Sequence, residues 1–169
     1  MGLLRRRREE QEGHRFRMRE KLLSIGDDYW IEDEEGNRAY RVDGKAARLR
    51  ETILLKDAEG REVAKIQERM LSVRDKMAIE RDGETIATVH KALVGIRDRF
   101  AIDVGGGDDL KAHGNIVDHE YEIERDGETI ACVSKKWFRV RDTYGVELRA
   151  GEDEGVLLAA VVALEALTD

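Results

Sequence analysis

Apolar and polar residues alternate in short runs along most of this chain, and the runs end in polar turns that contain glycine. Alternation with a period of two sends successive side chains to opposite faces, so each run predicts a half-buried β-strand. The clearest run occurs twice: IERDGETIA stands at 79–87 and again at 123–131, an offset of 44 residues. Extended backwards, these copies align VRDKMAIE (73–80) with VDHEYEIE (117–124). The octet returns as IRDRFAID (96–103) and VRDTYGVE (140–147), and more weakly as IGDDYWIE (25–32) and LRETILLK (49–56). Starts at 25, 49, 73, 96, 117 and 140 describe six degenerate repeats of about 23 residues. An internal period of this kind dictates the architecture.

Each unit opens on an aliphatic residue and a charged pair, commonly Arg-Asp, whose recurrence points to turn hydrogen bonding or local ion pairing, and runs on into the alternating strand. A turn follows (EEGN at 34–37, AEGR at 58–61, RDGE at 81–84 and 125–128), then a returning strand. Asp-Gly between alternating runs is the strongest short-range hairpin signal. In the fourth unit the turn is GGGDDL (105–110) and the return, near 111–117, is weak. Five hairpins, an outgoing strand at 143–149 and a leading strand at 16–22 make about twelve antiparallel strands. Closure into a barrel removes their exposed edges. The last segment, VLLAAVVALEAL (156–167), holds one charge, Glu165. A helix apolar on every side must be buried on every side, and a barrel of about twelve strands needs filling. The helix is expected to plug the barrel.

Composition adds a polarity. The net charge is −7, which disfavours non-specific nucleic-acid binding, yet the first 22 residues carry a net +4. A basic arm (1–15) is therefore expected to precede one acidic domain (16–169). A single cysteine, Cys132, excludes an intrachain disulfide. No apolar run approaches the roughly 20 residues of a transmembrane helix, and no secretory leader is recognisable. A cytoplasmic protein, in places peripheral to the inner membrane face, is the expectation.

A barrel of twelve strands around an apolar C-terminal helix is the fold of the tubby C-terminal-like superfamily, and the chain resembles its prokaryotic LURP-one-related members. The resemblance rests on KLLSIGDDYWIEDEEGNRAYRVDGKAARLRETILLKD (21–57), the IERDGETIA repeats, SKKWFRVRDTYGVE (134–147) and the terminal helix. It covers nearly everything after about Phe16 and specifies a fold rather than an activity. Tubby proteins in the superfamily bind phosphoinositides, and phospholipid scramblases share the fold. The resemblance thus implies lipid contact at the level of class, with no residue-by-residue headgroup site.

Two clusters fit that implication. SKKWFRVR (134–141) sets Lys135, Lys136, Arg139 and Arg141 around Trp137 and Phe138, read as a basic strand able to hold headgroup phosphate while a ring rests at the interface. The plainer reading puts the two rings in or near the core and the charges on a solvated face. Arg5, Arg6, Arg7 and Arg8 form the second cluster, a membrane tether or a contact to another copy, against a terminus that only adds solubility. Nucleic acid is disfavoured because no recognised module accompanies the arginines.

Catalysis has little support. His113 and His119 lie near Asp118, Asp108 and Asp109, but no metal-ligand spacing occurs and flexible Gly105-Gly106-Gly107 adjoins them. No metal and no cofactor is expected. Cys132 lacks a base in register and reads as filler. The expected function is a non-enzymatic binding module for anionic phospholipid. The alternative is a structural or protein-interaction domain that self-associates through its arm or barrel surface.

Overall fold

In the computed structural model, residues 13–19, 29–43, 52–69, 76–91, 99–138 and 141–168 are described. Twelve strands form a closed antiparallel barrel in the order β1-β12-β11-β10-β9-β8-β7-β6-β5-β4-β3-β2. They are β1 (His14–Arg19), β2 (Tyr29–Asp33), β3 (Arg38–Asp43), β4 (Thr52–Asp57), β5 (Glu62–Glu68) and β6 (Lys76–Arg81). The second half comprises β7 (Glu84–Lys91), β8 (Arg99–Val104), β9 (Leu110–Asn115), β10 (Glu120–Arg125), β11 (Glu128–Ser134) and β12 (Thr143–Leu148). Helix α1 (Glu154–Thr168) follows. All five expected hairpins form, and β1 pairs with both β2 and β12 to shut the seam.

Alternation sorts the wall as the sequence implies. Phe16, Met18, Ile31, Val42, Ile53, Leu55, Ile66, Ile79, Val89, Ile102, Ile123 and Val146 are buried inside. The helix fills the space they face, with every residue from Leu157 to Glu165 buried. Its fifteen residues span about 22 Å.

The repeat has a structural meaning beyond strand spacing. In β2–β3, β4–β5, β6–β7 and β10–β11 the register slips at one equivalent position, after Ile31, Leu55, Ile79 and Ile123. Each slip is a β-bulge, which bends and twists the strand that carries it. The surplus residue on the returning strand is Ala39, Val63, Ile86 or Ile130, and each packs on the core or within it. The bulges thus curve the wall and turn an extra apolar side chain toward the interior. In both IERDGETIA copies the turn residues have positive φ: Asp82 and Gly83 at 51° and 80°, Asp126 and Gly127 at 52° and 79°. That is the two-residue turn whose twist matches the flanking strands.

Period-two alternation does not extend through the octet positions 117–119 and 141–142. His119 and Asp142 hold the third octet position in two repeats, and both take left-handed backbone (φ 54° and 58°). These residues form turns, and the strand begins after them. Aspartate and histidine are among the side chains that tolerate this conformation, which accounts for the residue type at these two places.

Candidate functional site

The run 134–138 is not a strand. Ser134 ends β11, and Lys135–Trp137 make one 3₁₀ turn whose cap is the Ser134 hydroxyl accepting from the Lys136 amide at 3.1 Å. Glu120 on β10 locks this turn, accepting from the Ser134 hydroxyl at 2.9 Å and from the Lys135 amide at 3.0 Å. The sequence reading missed the turn because Ser-Lys-Lys-Trp carries no glycine or Asp-Gly signal, and the Ser134 cap depends on a carboxylate fourteen positions upstream.

The turn lays Trp137 and Phe138 on the outer wall, half-buried, over Gly145 of β12. A Cβ at Gly145 would lie 2.6 Å from Trp137 Cε3 and 3.0 Å from Phe138 Cε2, so glycine is what lets the rings seat there. The rings lie half-buried against the outside of the wall rather than in the barrel interior. From β1, the Arg15 guanidinium stacks 4.8 Å from the Trp137 ring centre and Arg17 stacks 5.9 Å from that of Phe138. Arg15 also pairs with Glu147 at 2.6 Å, and Arg17 with Glu32. Lys135 and Lys136 of the same turn are exposed, as is Arg141 before β12. Arg139 and the arm residues Arg5, Arg6, Arg7 and Arg8 lie outside the described residues. Of the expected basic residues, Lys135 and Lys136 share the 3₁₀ turn with Trp137, and Arg141 is exposed just before β12. Arg15 and Arg17, which the sequence groups with the basic arm, hold the rings from β1.

At the end of the barrel where α1 begins, ionic pairs gather. Arg81 bonds both carboxylate oxygens of Asp153 (2.8 and 3.0 Å), and Arg125 both oxygens of Glu152 (2.8 and 2.9 Å). These arginines occupy equivalent positions in the two IERDGETIA copies, so both copies serve as clamps on the link into the helix. Asp153 also caps the helix, accepting from the Val156 amide at 3.2 Å. The Arg81 hydrogen bond is the main reason its carboxyl sits below the usual carboxylate range. Glu154 accepts from Tyr40 Oη at 2.9 Å and meets the His14 ring. Burial, then Glu154, pushes the Tyr40 phenol up. A cleft of about 1130 Å³ opens here, with Asp33, Glu34, Glu35, Asp57, Glu59 and Glu154 in its lining and Gly13 at its edge.

The other end of α1 is tied down from inside. Buried Glu165 accepts from Tyr144 Oη and lies 3.2 Å from His119 Nε2, while the His119 ring stacks on Tyr144 at 4.2 Å. Burial and, secondarily, Glu165 push the nearby Tyr121 phenol up. The structure thus separates the two histidines that the sequence set together. His119 turns inward to Glu165, whereas His113 sits on the outer wall 2.7 Å from Glu124. Asp118 closes a turn with Asn115, and Asp109 accepts from the Val104 amide. Cys132 is half-buried on the same outer wall. Burial, then Glu122, Glu147 and Glu120, pushes its thiol up and away from the reactive thiolate.

No helix among the described residues is long and apolar enough to cross a membrane. No curated protein matches the sequence. A solved structure of an Arabidopsis thaliana protein is similar to this chain at a TM-score of 0.69 and 16% identity, covering 95% of this chain and 96% of that one. At that identity the likeness is one of fold. Residues 14–165 match the family described as LURP-one-related. From the first residue of β1 to the buried glutamate of α1, the chain belongs to the LURP-one-related family.

Proposed function

We propose that this domain is a non-enzymatic binding module that docks on an anionic phospholipid surface at the cytoplasmic face of a membrane, through the shelf formed by the 134–138 turn. The observation that carries this reading is the seating of Trp137 and Phe138 outside the barrel, on a turn whose Lys135 and Lys136 are exposed, as is Arg141. An aromatic ring held at a surface suits the membrane interface, and each nearby cation contributes about 1 kcal/mol against anionic lipid. Arg139 and the arm arginines 5–8 would add to the same attraction. Support for a non-catalytic role comes from the family, from the raised Cys132 thiol, and from the titratable groups near α1 being engaged in holding the helix.

Co-sedimentation with neutral and acidic liposomes tests this. Acidic liposomes should retain the chain at low salt and release it as salt rises. Lys135→Ala with Lys136→Ala should lower partitioning by roughly thirtyfold, and removal of residues 1–13 should lower it further. Equal binding to neutral liposomes, or none to either, would sink the proposal.

A second reading, self-association, draws on the acid-lined cleft beside Gly13, whose charge complements arginines 5–8 of another copy. It predicts oligomers in light scattering that disappear on removal of residues 1–13, with no requirement for lipid.

A further inference from the structure

We propose that His113, Glu122 and Glu124 form a site for a divalent cation of the zinc, nickel or cobalt type on the outer wall between β9 and β10. Strand parity puts all three side chains outside. Leu110 and Ala112 of β9 are buried, as are Tyr121 and Ile123 of β10, so the residues between them face out. Register sets His113 directly across from Glu122, with Glu124 two residues further along β10. One ligand atom from each of the three lies within 4.8 Å of the others.

The chemistry favours an ion over a simple ion pair. Metal–donor bonds of about 2.0–2.2 Å put donors around one zinc-like ion roughly 3–4 Å apart. Side-chain rotation alone can close the remaining gap, because the strands are already in place. The present arrangement aims two carboxylates at one imidazole. Like charges that close repel, and a bound cation would relieve that repulsion. The site is partly shielded, with the His113 and Glu124 side chains 41% and 27% exposed. Thr129 on β11 donates to Glu122 Oε2 at 3.3 Å, the outer-shell support that orients a ligating carboxylate. One imidazole nitrogen with two carboxylate oxygens suits borderline cations better than calcium or magnesium, which favour all-oxygen sets. Arg99 stands across from His113 on β8, and Lys111 across from Glu124. These cations weaken binding, which should therefore be reversible.

The wall carries its own control. His90 meets Asp103 at 2.9 Å on β7–β8, but no second carboxylate joins them among the clusters of three. Titration of the full chain with ZnCl2 by calorimetry, and with CoCl2 by visible absorption, should show one ion per chain. His113→Ala, and Glu122→Gln with Glu124→Gln, should each weaken binding at least about tenfold, while His90→Ala leaves it unchanged. Should a variant fail to fold, Zn²⁺-dependent shifts confined to the His113 ring resonances of the unmodified chain give the same answer. No saturable binding, or binding indifferent to His113→Ala, would overturn the site, and neither result bears on lipid docking.

Discussion

Two buried residues show how single positions hold this molecule. Glu165 is the one charged residue between Val156 and Leu167, and it is 7% exposed. Burial of such a group is costly unless hydrogen bonds satisfy it, and Tyr144 and His119 do so from two strand ends. Glu165→Leu would strand both partners. It should destabilise by about 1–3 kcal/mol or more, with Tyr144→Phe smaller and Glu165→Gln intermediate, ranked by urea midpoints at constant slope. An order in which Glu165→Leu is neutral would mean that the helix needs no polar anchor. Gly145 acts by being small. Gly145→Val would push Trp137 off its seat, so tryptophan emission should shift to the red while the far-ultraviolet circular dichroism stays that of a barrel. If the lipid reading holds, this variant also loses retention on acidic liposomes.

At the level of elements, the hairpins do more than supply strands. The bulges bring Val63 against Gly155 at the head of the helix, where an added Cβ would stand 2.5 Å from Val63 Cγ1. The turn arginines Arg81 and Arg125 grip the two acids that precede the helix. Exposed pairs of this kind are worth about 0.2–1 kcal/mol each. Asparagine caps a helix about as well as aspartate, so Asp153→Asn isolates the charge from the cap. The Asp153 carboxyl is held below its ordinary value, so its charge stabilises the fold above about pH 4. That contribution fades as pH falls toward the lowered folded value. The stability difference between the parent chain and Asp153→Asn should therefore be flat from pH 7 to about pH 5 and shrink below pH 4. A difference that grows on acidification would show that the arginine pair is not what the charge serves.

For the whole molecule, closure and filling depend on one another. Burial of a Leu or Val side chain stabilises by about 1.5–3 kcal/mol. Leu157, Leu158, Val161, Val162 and Leu164 are all buried in the barrel, and their sum reaches the whole stability of an ordinary domain, about 5–15 kcal/mol. A chain ending at Ala150 should therefore lose cooperative unfolding and dispersed amide resonances. A cooperative transition in that truncation would show that the wall stands without its plug.

The strand number, hairpin turns and apolar helix are legible in the chain itself. Period-two alternation, Asp-Gly turns and an uncharged run of alanine, leucine and valine act between near neighbours, and each strongly favours one local structure. The LURP-one-related resemblance rests on those same features. Other properties depend on contacts distant in sequence, and tertiary structure alone decided them. His113 meets Glu124 only because the register sets β9 against β10. His119 turns inward because a left-handed residue reverses the chain there, toward a glutamate 46 positions away. The 134–138 turn and the Arg15 and Arg17 that hold its rings come from opposite ends of the sequence. They meet because β1 and β12 close the seam. Bulges shift register by one residue and closure brings the termini together, and spacing along the chain encodes neither partner.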